Sequence, residues 1–193
     1  MLNKQRNRII EQFTNVWKAN DLAHRVTHFM AVEECGNSIN LKLELGFDPK
    51  LIQLVAFFHD MFAWSRNNHH EMSAQWVIST DHPILANLSP RERSDVYWGC
   101  LQHRASFKGI FANQFAELMN AADREIPGNV IQMLNRAHQF RLAKGMSGDE
   151  AQAGAIAHIK EKFGTGGYAR YPDLYLKAFG DELAAQRIEI DNL

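Results

Sequence analysis

Neither sign of charge prevails in this sequence: 21 Lys and Arg stand against 22 Asp and Glu, a formal net charge of -1. So even a balance gives no electrostatic footprint for nucleic acid. The basic start (Lys4, Arg6, Arg8) reads as the solvated face of a first helix. Cysteine is nearly absent: Cys35 and Cys100 stand alone, without metal-ribbon or redox spacing. That excludes a disulfide framework and fits two buried thiols in a reducing, cytoplasmic setting. No apolar run is long enough to span a bilayer, and the start lacks the apolar stretch of a secretion signal. Sustained alternation of apolar and polar residues is missing too, which argues against strands.

What is present is an ordinary globular balance, 46% hydrophobic and 22% charged residues, punctuated as helices almost throughout. The pattern predicts helices near 4–18, 21–45, 49–63, 69–80, 90–103, 110–124, 129–144, 148–163 and 172–188. Asn20 or Asp21 can cap the second, which closes at Gly46; Asp48-Pro49 supplies a cap and a first-turn proline for the third. Asn68 with Glu71, Ser89 with Glu92 and Ser147 with Glu150 have capping-box spacing. Gly164, Gly166 and Gly167 lack the Lys-Ser/Thr of a phosphate loop and read as a flexible connection. The expectation is one all-α domain over 1–193, with an informative core at about 20–125 and a C-terminal helical extension at about 126–193.

The informative stretch is Leu51 through Trp64, apolar on nearly all sides except for His59 and Asp60. A helix of this kind is buried centrally, and an unpaired carboxylate inside it costs several kcal/mol. Asparagines and a serine follow Trp64, so Asp60 falls toward a helix C-terminus, where the macrodipole also disfavours an anion. Asp123 has the same difficulty: it lies beside the stripe Phe111, Phe115, Leu118, Met119 and Ala122, just before Pro127 and Gly128 stop the helix. A shared divalent cation, with histidines completing its shell, relieves both carboxylates. So does a buried salt bridge to Arg124 or Arg104.

His28, then adjacent His59-Asp60, then Asp123 form an ordered H…HD…D set, and this set resembles the metal-ligand pattern of the HD superfamily of metal-dependent phosphohydrolases. His28 with Val32 four residues on, the apolar run Ala56-Phe57-Phe58 into His59-Asp60, and Ala121-Ala122-Asp123-Arg124 are similar to its local contexts. His24 lies one helical turn from His28, and the valine spacing assigns the ligand role to His28; a His24–His28 double ligand is the minor reading, since no adjacent glutamate makes this a zincin-type helix. His69, in His69-x-x-x-Ser73-Ala74, and His103, in Leu101-Gln102-His103-Arg104, resemble the extra histidines of a five-part subset that holds two metals bridged by the aspartate.

The resemblance implies an α-helical HD-type bundle that holds one divalent ion (Mn, Fe, Mg, Zn, Co or Ni) on His28, His59, Asp60 and Asp123. A second ion would add His69 and His103. It implies hydrolysis of a phosphate ester in a nucleotide-like or other small phosphorylated substrate. The chain departs from many relatives in having no acid between Met61 and Trp64. His69, His70 or Glu71 then stand in as the acid/base group, and Arg104, Lys108 and Arg124 as clamps for a phosphate. The alternatives are a diiron oxygenase of the same type, which needs every histidine of the five-part set, and a non-catalytic metal-bound sensor. No membrane partner is expected; a homo-oligomer is compatible with the sequence.

Overall fold

A computed structural model describes residues 2–21 and 24–193. The described residues form helices and no strands: α1 Leu2–Trp17, α2 Val26–Lys42, α3 Pro49–Phe58, α4 His69–Ser79, α5 Pro90–Gln102, α6 Gln114–Ala122, α7 Val130–Leu142, α8 Gly148–Phe163 and α9 Asp173–Asp191. The chain is an all-α bundle, and none of these helices is long and apolar enough to cross a membrane.

Local chemistry sets most boundaries. Asp48 accepts from the Lys50 amide ahead of Pro49, and Ser89 and Ser147 close complete capping boxes with Glu92 and Glu150. Several expectations differ, among them the helix expected over 110–124, which begins only at Gln114. The helix expected from 21 falls partly on Leu22 and Ala23, outside the described residues, and α2 itself begins at Val26. Asn20 does not cap it, because its side chain is taken up elsewhere in the core. Asn68 makes no capping bond; its Oδ1 accepts instead from Ser65 Oγ at 2.5 Å. The helix expected over 49–63 ends at Phe58, so His59 caps it and Asp60 lies in the turn beyond.

By their contacts the residues fall into two compact units. One runs to Ile126 and takes in Pro172–Ala178; the other holds Pro127–Tyr171 and Phe179–Leu193. The second division falls inside α9, where Phe179 departs from helical geometry (φ −137°, ψ 20°).

In the first unit α3 is the central element, with every residue from Leu51 to Phe58 buried and with packing against α1, α2, α5 and α6. Two glycines allow the closest approaches. A Cβ at Gly36 of α2 would meet Ile52 Cγ2 at 2.7 Å, and one at Gly99 of α5 would meet Val55 Cγ2 at 2.9 Å. Ile9, Phe13 and Trp17 of α1 complete the core, and α1 is tied down by Arg6, whose guanidinium is bidentate on the buried Glu33 carboxylate at 2.8 and 2.9 Å.

The second unit packs Val130, Ile159 and Ile190 at its centre, flanked by Met133, Leu134, Ala137 and Phe163. Its glycine cluster is a pinned turn rather than a loose connection. Gly167 N donates to Gly164 O at 2.8 Å, and the Asp191 carboxylate accepts from Thr165 N and Oγ1.

Candidate metal centre

Five helix ends of the first unit meet at Asp60. His28 is the third residue of α2, His59 caps α3, His69 opens α4, His103 caps α5 and Asp123 caps α6. Helix C-termini leave backbone carbonyls without intrahelical donors, and two of the histidines use them. His59 Nδ1 donates to Ala56 O at 2.9 Å and His103 Nδ1 to Cys100 O at 2.7 Å, while His69 Nδ1 donates to Arg66 O, in the turn before α4, at 3.2 Å. His28 Nδ1 faces a carboxylate instead, Glu125 Oε1 at 3.0 Å.

With every Nδ1 committed to an acceptor, each neutral ring turns an Nε2 lone pair inward. The Asp60 carboxylate, 3% exposed, divides these rings between its oxygens. Oδ1 lies 3.2 Å from His69 Nε2 and 3.3 Å from His103 Nε2. Oδ2 lies 3.3 Å from His59 Nε2 and 3.7 Å from His28 Nε2. Asp123 Oδ1 adds to the second side, 3.2 Å from His28 Nε2 and 3.4 Å from His59 Nε2. The nitrogens also face one another: His28 and His59 Nε2 are 3.3 Å apart, as are those of His69 and His103.

Lone pairs opposed at this distance repel unless protons or cations lie among them. Asp60 Oδ1 is buried and accepts no well-formed hydrogen bond, although two imidazoles flank it, which is rare for a buried carboxylate oxygen. Metal–ligand bonds of about 2.0–2.2 Å put neighbouring donors roughly 3 Å apart, so the spacing fits a shared ion. Among the described residues, two groups have ligand atoms mutually within 4.8 Å: His28, His59 and Asp60, and Asp60, His69 and His103. The residues therefore fit metal on either side of Asp60.

The electrostatics of the protein alone agree. Burial opposes charge on His28, but hydrogen bonds to Asp123 and Glu125 outweigh it and raise its pKa to about 9. Burial likewise opposes charge on His59, and the attraction of Asp60 with the Asp123 hydrogen bond carries it up to about 10. Burial would raise Asp60 and Asp123, yet the surrounding histidines hold both well below the usual carboxylate range. Positive charge is demanded here, and a cation supplies it as well as protons do. Burial pushes both thiols up, so neither Cys35 nor Cys100 is ionised as a donor.

The remaining sequence candidates spread around this cluster. His70 is half-buried with an unpartnered Nδ1, and burial followed by Arg104 lowers its pKa. Glu71 is exposed on the first turn of α4. Arg104 donates to Asn67 O at 3.0 Å, and Arg124 to Asn120 Oδ1 at 2.9 Å, so both brace the protein around the site. Lys108 is exposed.

Three residues that sequence reasoning passed over or demoted also bear on the site. Glu125 reaches His28 because its backbone is left-handed (φ 59°), while Tyr175 Oη donates to its carbonyl at 2.9 Å. Asn20, read as a helix cap, is buried: its amide donates to Asp60 O at 2.8 Å and its Oδ1 accepts from Trp64 N at 3.0 Å. His24 is not on the helix of His28, as the one-turn spacing implied, because α2 starts after it. Its Nε2 nevertheless lies 3.8 Å from Asp60 Oδ2.

No family model matches the chain. An uncharacterized protein of Clostridium beijerinckii is 32% identical over 106 residues, 52% of this chain and 63% of the relative, so less than two thirds of that protein is spanned. No solved structure matches.

Proposed function

We propose that the chain is a metal-dependent phosphohydrolase of the HD type, acting on a small phosphorylated substrate. The observation that carries the reading is the convergence of four Nδ1-anchored imidazoles on the two oxygens of Asp60, with Asp123 beside them. His28, His59, Asp60 and Asp123 would hold one ion; Asp60, His69 and His103 a second. So many imidazoles favour a transition metal such as Mn, Fe, Co, Ni or Zn over Mg. When bound, metal polarises a phosphoryl oxygen and lowers the pKa of water.

The protein's own part is orientation and proton handling. Carbonyls at the ends of α3 and α5 and the Glu125 carboxylate fix the imidazoles before any ligand arrives, which limits reorganisation. His70, kept neutral by burial and Arg104, is suited to accept a proton. Lys108, the exposed cation of the notional phosphate clamp, is the one whose side chain is free to follow a substrate.

The test is metal content after purification without chelator, paired with a screen of phosphorylated metabolites with added Mn²⁺. Expected are a bound first-row metal and metal-stimulated release of phosphate or a phosphorylated product. A protein that holds no metal, and whose stability and activity ignore added metal, would refute the reading. The pair His69 and His103 at Asp60 Oδ1 favours one second reading, a diiron oxygenase. Turnover lost without air and restored by Fe²⁺ and oxygen would select it.

A further inference from the structure

We propose that His24 is a further imidazole donor to the ion on the Oδ2 side of Asp60, oriented by Asp21. The inference rests on the metal reading above and adds to it a residue outside the resemblance. His24 Nε2 is 3.8 Å from Asp60 Oδ2, essentially the 3.7 Å of His28 Nε2. The His24 and His28 rings are 5.9 Å apart between centroids, close to the 5.3 Å that separates His28 from His59.

The far side of the ring repeats the pattern of the other four histidines. His24 Nδ1 is 2.6 Å from Asp21 Oδ1, as His28 Nδ1 faces Glu125, so the proton sits on Nδ1 and the Nε2 lone pair points at Asp60. Arg66 Nη1 in turn lies 3.3 Å from Asp21 Oδ2. A surface His–Asp pair would satisfy itself with Nε2 in water; here Nε2 is turned toward a second, buried carboxylate.

The backbone fixes the same arrangement. The Asn20 amide donates both to His24 O at 3.2 Å and to Asp60 O at 2.8 Å, holding the two segments with one group. The His24 side chain is 26% exposed against 13% for His28 and 1% for His59, so it stands at the solvent edge of the cluster. The Oδ2 side then has five protein donors (His24, His28, His59, Asp60 and Asp123) and the Oδ1 side three. Unequal shells make the two positions unequal in affinity, with the Oδ2 side the tighter.

Co²⁺ titration of the chelator-treated full chain tests this, read by visible absorption and by the dissociation constant of the first equivalent. His24→Ala should weaken that equivalent at least about tenfold and change the absorption band, while the second weaker equivalent stays. Asp21→Asn should shift affinity the same way and by no more than His24→Ala does, at the low end, about tenfold, of the scale for outer partners of metal-bound histidine. The melting temperature without metal should stay near wild type for Asp21→Asn, which separates ligand loss from misfolding. Unchanged affinity and absorption in His24→Ala, with binding abolished in Asp60→Ala, would overturn the assignment and leave the metal reading standing. Unchanged binding in Asp60→Ala as well would remove both.

Discussion

The side-chain amide of Asn20 holds the backbone carbonyl of Asp60 at 2.8 Å across forty residues of sequence. Its oxygen meanwhile accepts from Trp64 N at 3.0 Å, so one buried residue closes the turn that follows His59. Without that turn Asp60 would have no reason to present its two oxygens to opposite groups of histidines.

Asn20→Ala should therefore weaken both stability and metal binding. It leaves buried backbone groups unsatisfied, which costs about 1–3 kcal/mol, and it frees the Asp60 backbone. The expected result is a lower melting temperature together with metal affinity reduced about tenfold or more in the folded protein. A lower melting temperature with wild-type affinity would make Asn20 a structural brace only.

Asn20 also shows where sequence reading reached and where it stopped. Helices bounded by local chemistry were legible: Ser89 with Glu92, Ser147 with Glu150, and Asp48 with Pro49 act within a few residues of themselves. Asn20 and Asn68 have equal capping propensity, but tertiary and loop partners claim their side chains, and propensity cannot foresee that. The difficulty of Asp60 and Asp123 was legible because burial and helix ends follow from apolar pattern and punctuation. Glu125 was not, because its reach to His28 depends on a left-handed backbone just past α6 that no residue preference announces.

Glu125→Gln should lower metal affinity by about 10- to 100-fold, the usual scale for the partner of a metal-bound histidine. Glu125→Gly is the sharper variant. Glycine suits φ 59° and relieves the backbone while removing the carboxylate. Isothermal titration of both should show the larger loss in Glu125→Gly. Wild-type affinity in the glycine variant would mean that His28 needs no carboxylate behind it.

The number of ions divides at the two oxygens of Asp60. His103→Ala removes a donor from the Oδ1 side alone, since His103 Nε2 approaches Oδ1 and His59 and His28 approach Oδ2. Metal stoichiometry by atomic emission should fall from two ions to one in His103→Ala and in His69→Ala, and toward zero in Asp60→Ala. A wild-type stoichiometry of one, unchanged in His103→Ala, would establish a mononuclear centre and eliminate the diiron alternative.

The pH dependence of the metal-free protein has a definite sign. His28 and His59 are raised from 6.5 to about 9 and about 10 in the folded protein. Each stabilises the fold by holding a proton more tightly than the unfolded chain does, so the contribution is complete below about pH 6.5 and is lost as pH rises through 9 and 10. Asp60 and Asp123 are depressed, so their contribution is present above about pH 4 and is lost as pH falls below it. A metal ion opposes the alkaline loss, because it replaces those protons and binds better as they leave. Melting temperatures with chelator should therefore decline between pH 6.5 and 9, while those with saturating metal decline less, and the gap should widen steadily with pH. Proton release on adding metal at pH 7 should accompany it, measurable with an indicator dye in weak buffer. Parallel melting curves and no released protons would mean that these histidines and the metal do not share a site.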